Sequence, residues 1–573
     1  QPGMGAAQQT MSAPQKVVGR TIPESSTPEW PEQAKAPAGA PNVLVIMTDD
    51  VGFAASSTFG GAIPTPTLDR LARNGLRYNQ FNTAAICSPT RAALLTGRNP
   101  HNVGIGNVVN SPAGYDGYTS VIPKSAATIA EILKRSGYGT AMFGKAHVTP
   151  EWEQSQAGPF DRWPTGLGFQ YFYGFMGGDT DQFAPSLVEN TSFKEPPYGD
   201  ANYIFERDIA DRAIQWIRQS KEVAPDKPFF VYYAPGAAHA PHQAPKEWLE
   251  KFRGKFDQGW DAMREETFAR QKALGVIPAD TVLTPRPQTL PAWSSLSADQ
   301  RQVSARLMEA YAATLAFTDN QIGRVIDSLA ANGQLDNTLI VFVQGDNGAS
   351  AEGGLLGELI EQSFIHGTPD DVTYMKSRID EIGGPTLYNN YPAGWAWSMD
   401  TPFQYYKQTA SHLGGVRNGM VISWPKRIKK TGGLRQQFHF VSDIAPTILE
   451  ATGIKAPGIV DGVQQQPIDG MSMAYTFDTP DAPSRRRMQL FEVAQNIGFY
   501  LDGWWAGTRP AKAPWDLFNG APVNIDDRTW ELYNLNKDFS QSRNLAQSEP
   551  DRLERMKQMF WSQAARNNIL PLH

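Results

Sequence analysis

The chain has 573 residues, 41% hydrophobic and 19% charged, with 51 glycines, 43 prolines and a net charge of −6 at neutral pH. A chain this long can bury a large core without covalent staples. Its slight acidic excess offers none of the concentrated Lys and Arg that phosphate backbones demand, so no nucleic-acid partner is expected. The single cysteine excludes an internal disulfide, a Cys-based zinc site and an iron–sulfur cluster. No apolar run reaches the roughly 18 residues of a membrane span, so none is expected.

Residues 1–41 hold seven prolines among Ala, Gln, Ser and Thr without hydrophobic periodicity, and read as an extended N-terminal arm. This arm and a first residue that is Gln point to an exported chain, periplasmic or secreted, rather than a cytoplasmic one. Order begins at Asn42. Val43-Leu44-Val45-Ile46-Met47 is an unbroken apolar run of the kind buried on both faces of a parallel sheet. It ends in Thr48-Asp49-Asp50. Similar strands occur at 140–143, 229–233, 339–343 and 419–423, with helical patterns at about 66–74, 126–136, 206–221, 300–331 and 442–452. Strands alternating with helices predict an α/β fold with a doubly wound sheet. Polar residues gather just beyond the strand ends, where such sheets bind ligands. We expect a catalytic α/β domain over 42–467, with insertions near 240–300 and 349–400, and a smaller antiparallel C-terminal α+β subdomain over 468–573. The latter would hold strands at 487–493, 498–505 and 529–535 and a helix near 549–566.

The lone cysteine opens Cys87-Ser88-Pro89-Thr90-Arg91-Ala92-Ala93-Leu94-Leu95-Thr96-Gly97-Arg98. The stretch from Thr90 to Thr96 is helix-like, so Cys87 sits at a helix N-terminus, where free N–H groups and the dipole favour an anion. Arg91 lies one turn on and faces the same place. Taken alone, the residue reads as a buried structural thiol, the commoner fate of a free cysteine.

The surrounding words shift that balance. Cys-X-Pro-X-Arg succeeded by Leu-Thr-Gly-Arg resembles the sulfatase signature, in which the cysteine is converted to formylglycine. Asn42–Asp50, Thr65–Ala72, Gly144-Lys145-Ala146-His147, Gly345-Asp346-Asn347-Gly348, Glu531–Leu535 and Asn544-Leu545-Ala546 resemble further family segments, and 253–276 with 310–327 is similar to bacterial arylsulfatases. The resemblance implies an alkaline-phosphatase-like mixed sheet and the hydrolysis of sulfate monoesters, aryl or alkyl, by a formylglycine hydrate at position 87. It implies a divalent metal held by Asp49, Asp50, Asp346, Asn347 and residue 87. These hard oxygen donors suit Ca²⁺, then Mg²⁺, and suit zinc poorly.

It also implies catalytic roles. Arg91 anchors the diol, Lys145 touches sulfate and diol, and His147 takes the second hydroxyl's proton. Lys145 and His147, two apart on a strand end, should share a face. His239 protonates the leaving alcohol and Lys407 grips the sulfate. His242 reads as a rim or structural residue. Lys407 stands one residue further from Gly414-Gly415 than the resemblance suggests, and His412 in that gap could approach the site. Trp395 and Trp397 line a substrate pocket or pack the insertion. The implied partners are a small sulfate ester and, during maturation, a formylglycine-generating enzyme. The same motifs serve formylglycine phosphonate monoester or phosphodiester hydrolases, and an unmodified Cys87 would leave a non-catalytic anion-binding protein.

Overall fold

The apolar run at Asn42 forms β1 (Asn42–Met47), every residue of which is buried, as a strand covered on both faces must be. The computed structural model describes residues 16–516 and 523–573. Ten further strands join β1 among them: β2 (Leu76–Asn82), β3 (Gly139–Lys145), β4 (Tyr171–Phe175), β5 (Leu187–Glu189), β6 (Ser192–Lys194), β7 (Phe229–Ala234), β8 (Thr338–Gln344), β9 (Arg417–Ser423), β10 (Gly433–Arg435) and β11 (His439–Phe440). They form one mixed sheet in the order β10-β2-β9-β8-β1-β7-β3-β4-β5-β6, with β11 beside β2.

The centre of this sheet positions the site. β8, β1, β7, β3 and β4 run parallel, with Met47 opposite Val343, Ile46 opposite Tyr233 and Gly144 opposite Ala234. Their carboxyl ends therefore open along one edge. β9 is antiparallel to β8, with Gly419 opposite Gln344, so the segment that leads into β9 arrives at the same edge.

Helices Pro66–Arg73, Phe205–Val223, Ala298–Ala331 and Ile444–Thr452 match the sequence periodicity within a few residues. The predicted 126–136 helix is shorter, Ile129–Arg135, because Thr128 caps it by accepting from the Glu131 N–H. The insertion after β7 forms helices Lys246–Lys251 and Gly259–Leu274, and a second core of Trp260, Trp293 and Trp395 against Ala298–Ala331. A four-stranded antiparallel sheet near the C-terminus packs on helix Pro550–Arg566.

Two strands of the sheet escape the sequence reading, and one expected strand is divided. β2 and β4 were not foreseen, since Leu-Arg-Tyr-Asn-Gln-Phe-Asn in β2 buries two asparagines where an apolar run was sought. The expected 498–505 strand is two, Asn496–Leu501 and Trp504–Thr508, because Asp502 and Gly503 both take positive φ (49° and 86°) and make the two-residue turn that Asp-Gly favours. Of the N-terminal arm, residues 16–41 form one short turn, Ile22–Glu24, and are mostly exposed, while 1–15 lie outside the described residues.

The segment after Ile444–Thr452 is tied back through Asp443, a buried carboxylate that receives Arg486, the Phe440 and Met471 N–H groups (3.0 and 2.8 Å) and faces His439 Nδ1 at 2.7 Å. Burial alone would raise its pKa, yet Arg486 and His439 outweigh it and hold Asp443 below the ordinary carboxylate range. Asp443→Asn leaves Arg486 buried without its counter-charge and should cost about 3–5 kcal/mol in urea unfolding at pH 7. Because the folded pKa is the depressed one, this contribution is complete above the unfolded value near ~3.9 and is lost as pH falls toward the folded one. The gap between wild type and variant should narrow only below about pH 4.

Candidate active site

Two turns at neighbouring strand ends build the floor. Beyond β1 come Asp49 and Asp50, the latter in the left-handed region (φ 54°); beyond β8 comes Gly345-Asp346-Asn347-Gly348. Gly345 has φ 87° and a Cβ there would lie 2.1 Å from Val51 O, so only glycine lets the turns approach this closely. The Asp50 N–H donates to Asp346 Oδ1 (3.2 Å), and Asn347 Nδ2 donates to Asp50 Oδ1 (2.7 Å).

Carboxylate oxygens of Asp49, Asp50 and Asp346 all lie within 4.8 Å of one another, and these side chains are fully or almost fully buried. Three cations answer them. Lys145 Nζ donates to Asp49 Oδ2 (2.6 Å), and Arg91 donates to Asp346 Oδ2 from Nη2 (2.8 Å) with Asp49 3.8 Å away. Lys407 Nζ lies 2.9 Å from Asp50 Oδ1.

Burial and the nearby Asp346 charge push Asp49 up to about 6 despite Lys145. For Asp50, burial is outweighed by Lys407 and His239, which hold it below the ordinary range. Buried Asp49 Oδ1 and Asn347 Oδ1 have no hydrogen-bond partner. Crowded carboxylates with unsatisfied hard oxygens fit a divalent cation.

Cys87 is the first residue of helix Cys87–Thr96 and is 4% exposed. Burial pushes its thiol up to about 11, outweighing the lowering by the Lys145 and Lys407 charges, and Asp346 and Asp49 add to the rise. Its sulfur is not among the mutually close metal-ligating atoms of the described residues. Lys407 is brought to Cys87 by its own backbone: Lys407 N–H donates to Ala349 O (3.0 Å) and Gln408 N–H to Ala85 O (2.8 Å).

Lys145 ends β3, so His147 is not on a continuing strand. It takes φ 49° and reaches the cluster through that turn rather than by strand alternation. Burial, then Lys145 and Arg91, hold its imidazole well below the usual value, and its Nδ1 has no partner. His239 comes after β7. Its Nδ1 lies 2.6 Å from Ala240 O, which only a protonated Nδ1 satisfies, and its Nε2 faces Asp50 at 3.6 Å.

The other aromatic and histidine candidates are structural. His242 is buried between Tyr311 and Tyr391, with ring centroids 4.9 Å away, and burial lowers its pKa to about 3. His412 is turned away, with Nδ1 2.7 Å from Ser411 Oγ and Nε2 2.8 Å from Glu531 on the C-terminal sheet. Trp395 packs on Trp260 and Trp293, and Trp397 lies under the Arg264 guanidinium, so both are buried in the packing of the insertion.

Four supporting residues were not legible in the sequence. Asn418 Nδ2 gathers the carbonyls of Gln344, Gly345 and Asn347, with Val51 O at 3.4 Å, and so joins both turns. Tyr311 OH donates to Asp50 O (2.8 Å). Glu206 accepts from the Ala237 N–H (3.0 Å) and fixes the turn that presents His239. Glu352 sits beside Lys407. No motif marks any of them; each acts on backbone or side chains remote in sequence.

This constellation, at the strand ends of an alkaline-phosphatase-like sheet, joins buried cations to acidic residues that could hold a metal ion. Residues 41–454 match the family model described as Sulfatase, and the chain belongs to the sulfatase family: it is a sulfate-ester hydrolase. It is 30% identical to an uncharacterised sulfatase of Schizosaccharomyces pombe over 92% of this chain and 94% of that one. It is 33% identical to an arylsulfatase of Klebsiella aerogenes over 72% of this chain and 87% of that one. A putative sulfatase of Bacteroides fragilis shares the fold, with a TM-score of 0.62 at 18% identity over 94% of this chain and 98% of that one. A phosphonate monoester hydrolase of Agrobacterium radiobacter also shares the fold, at TM-score 0.52, 17% identity and 92% and 96% coverage. The family uses a metal ion, and Asp49, Asp50 and Asp346 are acidic residues able to hold one.

Relief of carboxylate crowding should appear as stability. Calcium added to chelator-treated protein should raise Tm, by the equivalent of ~2.7 kcal/mol at one hundred times Kd. Asp346→Asn should lose most of that increment in the same thermal scan.

Proposed function

We propose that the protein hydrolyses aryl or alkyl sulfate monoesters, with residue 87 matured to formylglycine by a formylglycine-generating enzyme. One divalent metal, calcium before magnesium, would be held by Asp49, Asp50, Asp346, Asn347 and residue 87. The observation that carries this reading is geometric: the buried Cys87 opens the helix whose Arg91 reaches Asp346 and Asp49 in the carboxylate cluster, and burial pushes its thiol up to about 11. Such a thiol is a poor nucleophile as it stands, whereas its environment of cations and free helix N–H groups suits a sulfate. Calcium is preferred because four buried side chains offer an all-protein oxygen cage, which calcium accepts more readily than magnesium.

Hydrated formylglycine would supply a hydroxyl to attack sulfur, and the metal would polarise a sulfate oxygen. The remaining work falls to the chain's own residues. Lys145 and Lys407 offer N–H donors and charge to the sulfuryl oxygens from two sides of residue 87. Arg91, held by Asp346, keeps an unpartnered Nη1 near residue 87 for the diol. His147, kept neutral by burial and its cationic neighbours, accepts the proton of the second hydroxyl as sulfate is expelled. His239 presents Nε2 to the leaving oxygen and delivers a proton to it.

Mass spectrometry of tryptic peptide Tyr78–Arg91 should show an aldehyde in place of the cysteine CH₂SH, and Cys87→Ala should remove more than nine-tenths of turnover while the fold persists. An unmodified thiol in active enzyme would overturn the proposal. His239→Ala should slow phenyl and alkyl sulfates by about 10²–10⁴-fold and 4-nitrophenyl sulfate far less, since a good leaving group departs without a proton. Kinetics across a series of leaving groups would check this.

A further inference from the structure

The turn that supplies Asp346 and Asn347 runs on to Glu352, a mostly buried carboxylate (side chain 17% exposed) beside Lys407. Glu352 Oε1 lies 3.4 Å from Lys407 Nζ and is fixed by Gln408 Nε2, which donates to it at 2.6 Å. Ligand atoms of Glu352, His239 and Asp50 lie within 4.8 Å of one another, so the carboxylate borders both the sulfate-gripping lysine and the leaving-group acid. The Lys407 ammonium touches both Asp50 and Glu352, so that group of ligands already has its cation.

The charges nearby can be set against each other. Arg91, Lys145 and Lys407 offset Asp49, Asp50 and Asp346 one for one. A divalent ion would then leave two positive charges, and Glu352 removes one of them. The remaining charge is matched by the single negative charge of a sulfate monoester. A phosphate monoester carries a second charge above a pKa of about 6 and would overfill the site. Glu361, 3.9 Å from His239 Nδ1, adds no further fixed charge, because burial beside Asp179 keeps its carboxyl protonated, and the Asp179 carboxylate hydrogen-bonded to it offsets the charge of a protonated His239.

From this balance, and resting on the assignment of Lys407 as a sulfate ligand, we infer that Glu352 is a specificity-determining residue. Its charge admits monoanionic sulfate esters and rejects dianionic phosphate monoesters. Like charges within a few ångströms in a water-poor pocket repel strongly enough for large discrimination. A carboxylate that merely held Lys407 in place would affect both substrates alike.

The test uses metal-loaded enzyme of equal formylglycine content. In Glu352→Gln, the ratio of kcat/KM for 4-nitrophenyl sulfate to that for 4-nitrophenyl phosphate should fall by roughly tenfold or more. Calorimetric titration with inorganic phosphate and inorganic sulfate should show the same swing toward phosphate in Kd. Glu352→Asp, which keeps the charge, should stay near the wild-type ratio, and Glu352→Ala repeats the test if the Gln variant does not fold. Equal losses on both substrates, or an unchanged ratio, would overturn the inference. Lys407→Ala separates the two readings: undiminished sulfate turnover would remove Lys407 from the site, whereas a large loss with an unmoved Glu352→Gln ratio would reject Glu352 alone.

Discussion

Three carboxylates forced together out of water are the constraint around which this protein is organised. Asp49, Asp50 and Asp346 converge because β1 and β8 are adjacent, parallel and in register, so their ends cannot avoid each other. Leaving such charges unpaired in a protein interior costs several kcal/mol each. The fold meets that cost with Arg91, Lys145 and Lys407, delivered from the Cys87 helix, the end of β3 and the segment before β9. The cations that neutralise the floor thereby surround residue 87. The demands of a stable interior and of an anion-binding site are met by the same side chains.

The neutralisation is incomplete in a telling way. Asp49 remains raised to about 6, and one oxygen each of Asp49 and Asn347 is unpartnered. Backbone strain points to the same place, since Asp50 and His147 both take positive φ. Such costs persist only where neighbouring structure over-determines the conformation. Here Asn418 binds the carbonyls of both turns and Tyr311 holds Asp50 O.

How much of this could be read beforehand depended on whether a residue announces itself locally. β1, β3, β7, β8 and β9 were legible because strands covered on both faces are continuously apolar. The polar tips of four of them were legible as motifs. β2 was not, because its asparagines are satisfied by distant carbonyls at Val276 and His439. Asn418, Glu206 and Glu352 escaped for the same reason, since a single polar residue carries no periodicity. His412 misled through its nearness in sequence to Lys407, while its ring turns to Glu531.

That last pairing shows how the small C-terminal sheet takes part in the site. The segment carrying Lys407 has little regular structure of its own. It is pinned from the C-terminal side by Glu531 on His412, by Asn496 on the Ser411 N–H (3.0 Å), by Gln541 on the Leu413 N–H (2.7 Å) and by Trp505 Nε1 on Ser411 O (2.8 Å). On its other side Ala85 and Ala349 accept its backbone N–H groups. Lys407 is thus held between the residue 87 turn and the C-terminal sheet. A lysine reaching from an irregular segment would lose much of its binding strength to side-chain and backbone entropy. The C-terminal sheet restrains the segment in advance, and this gives it a part in the chemistry.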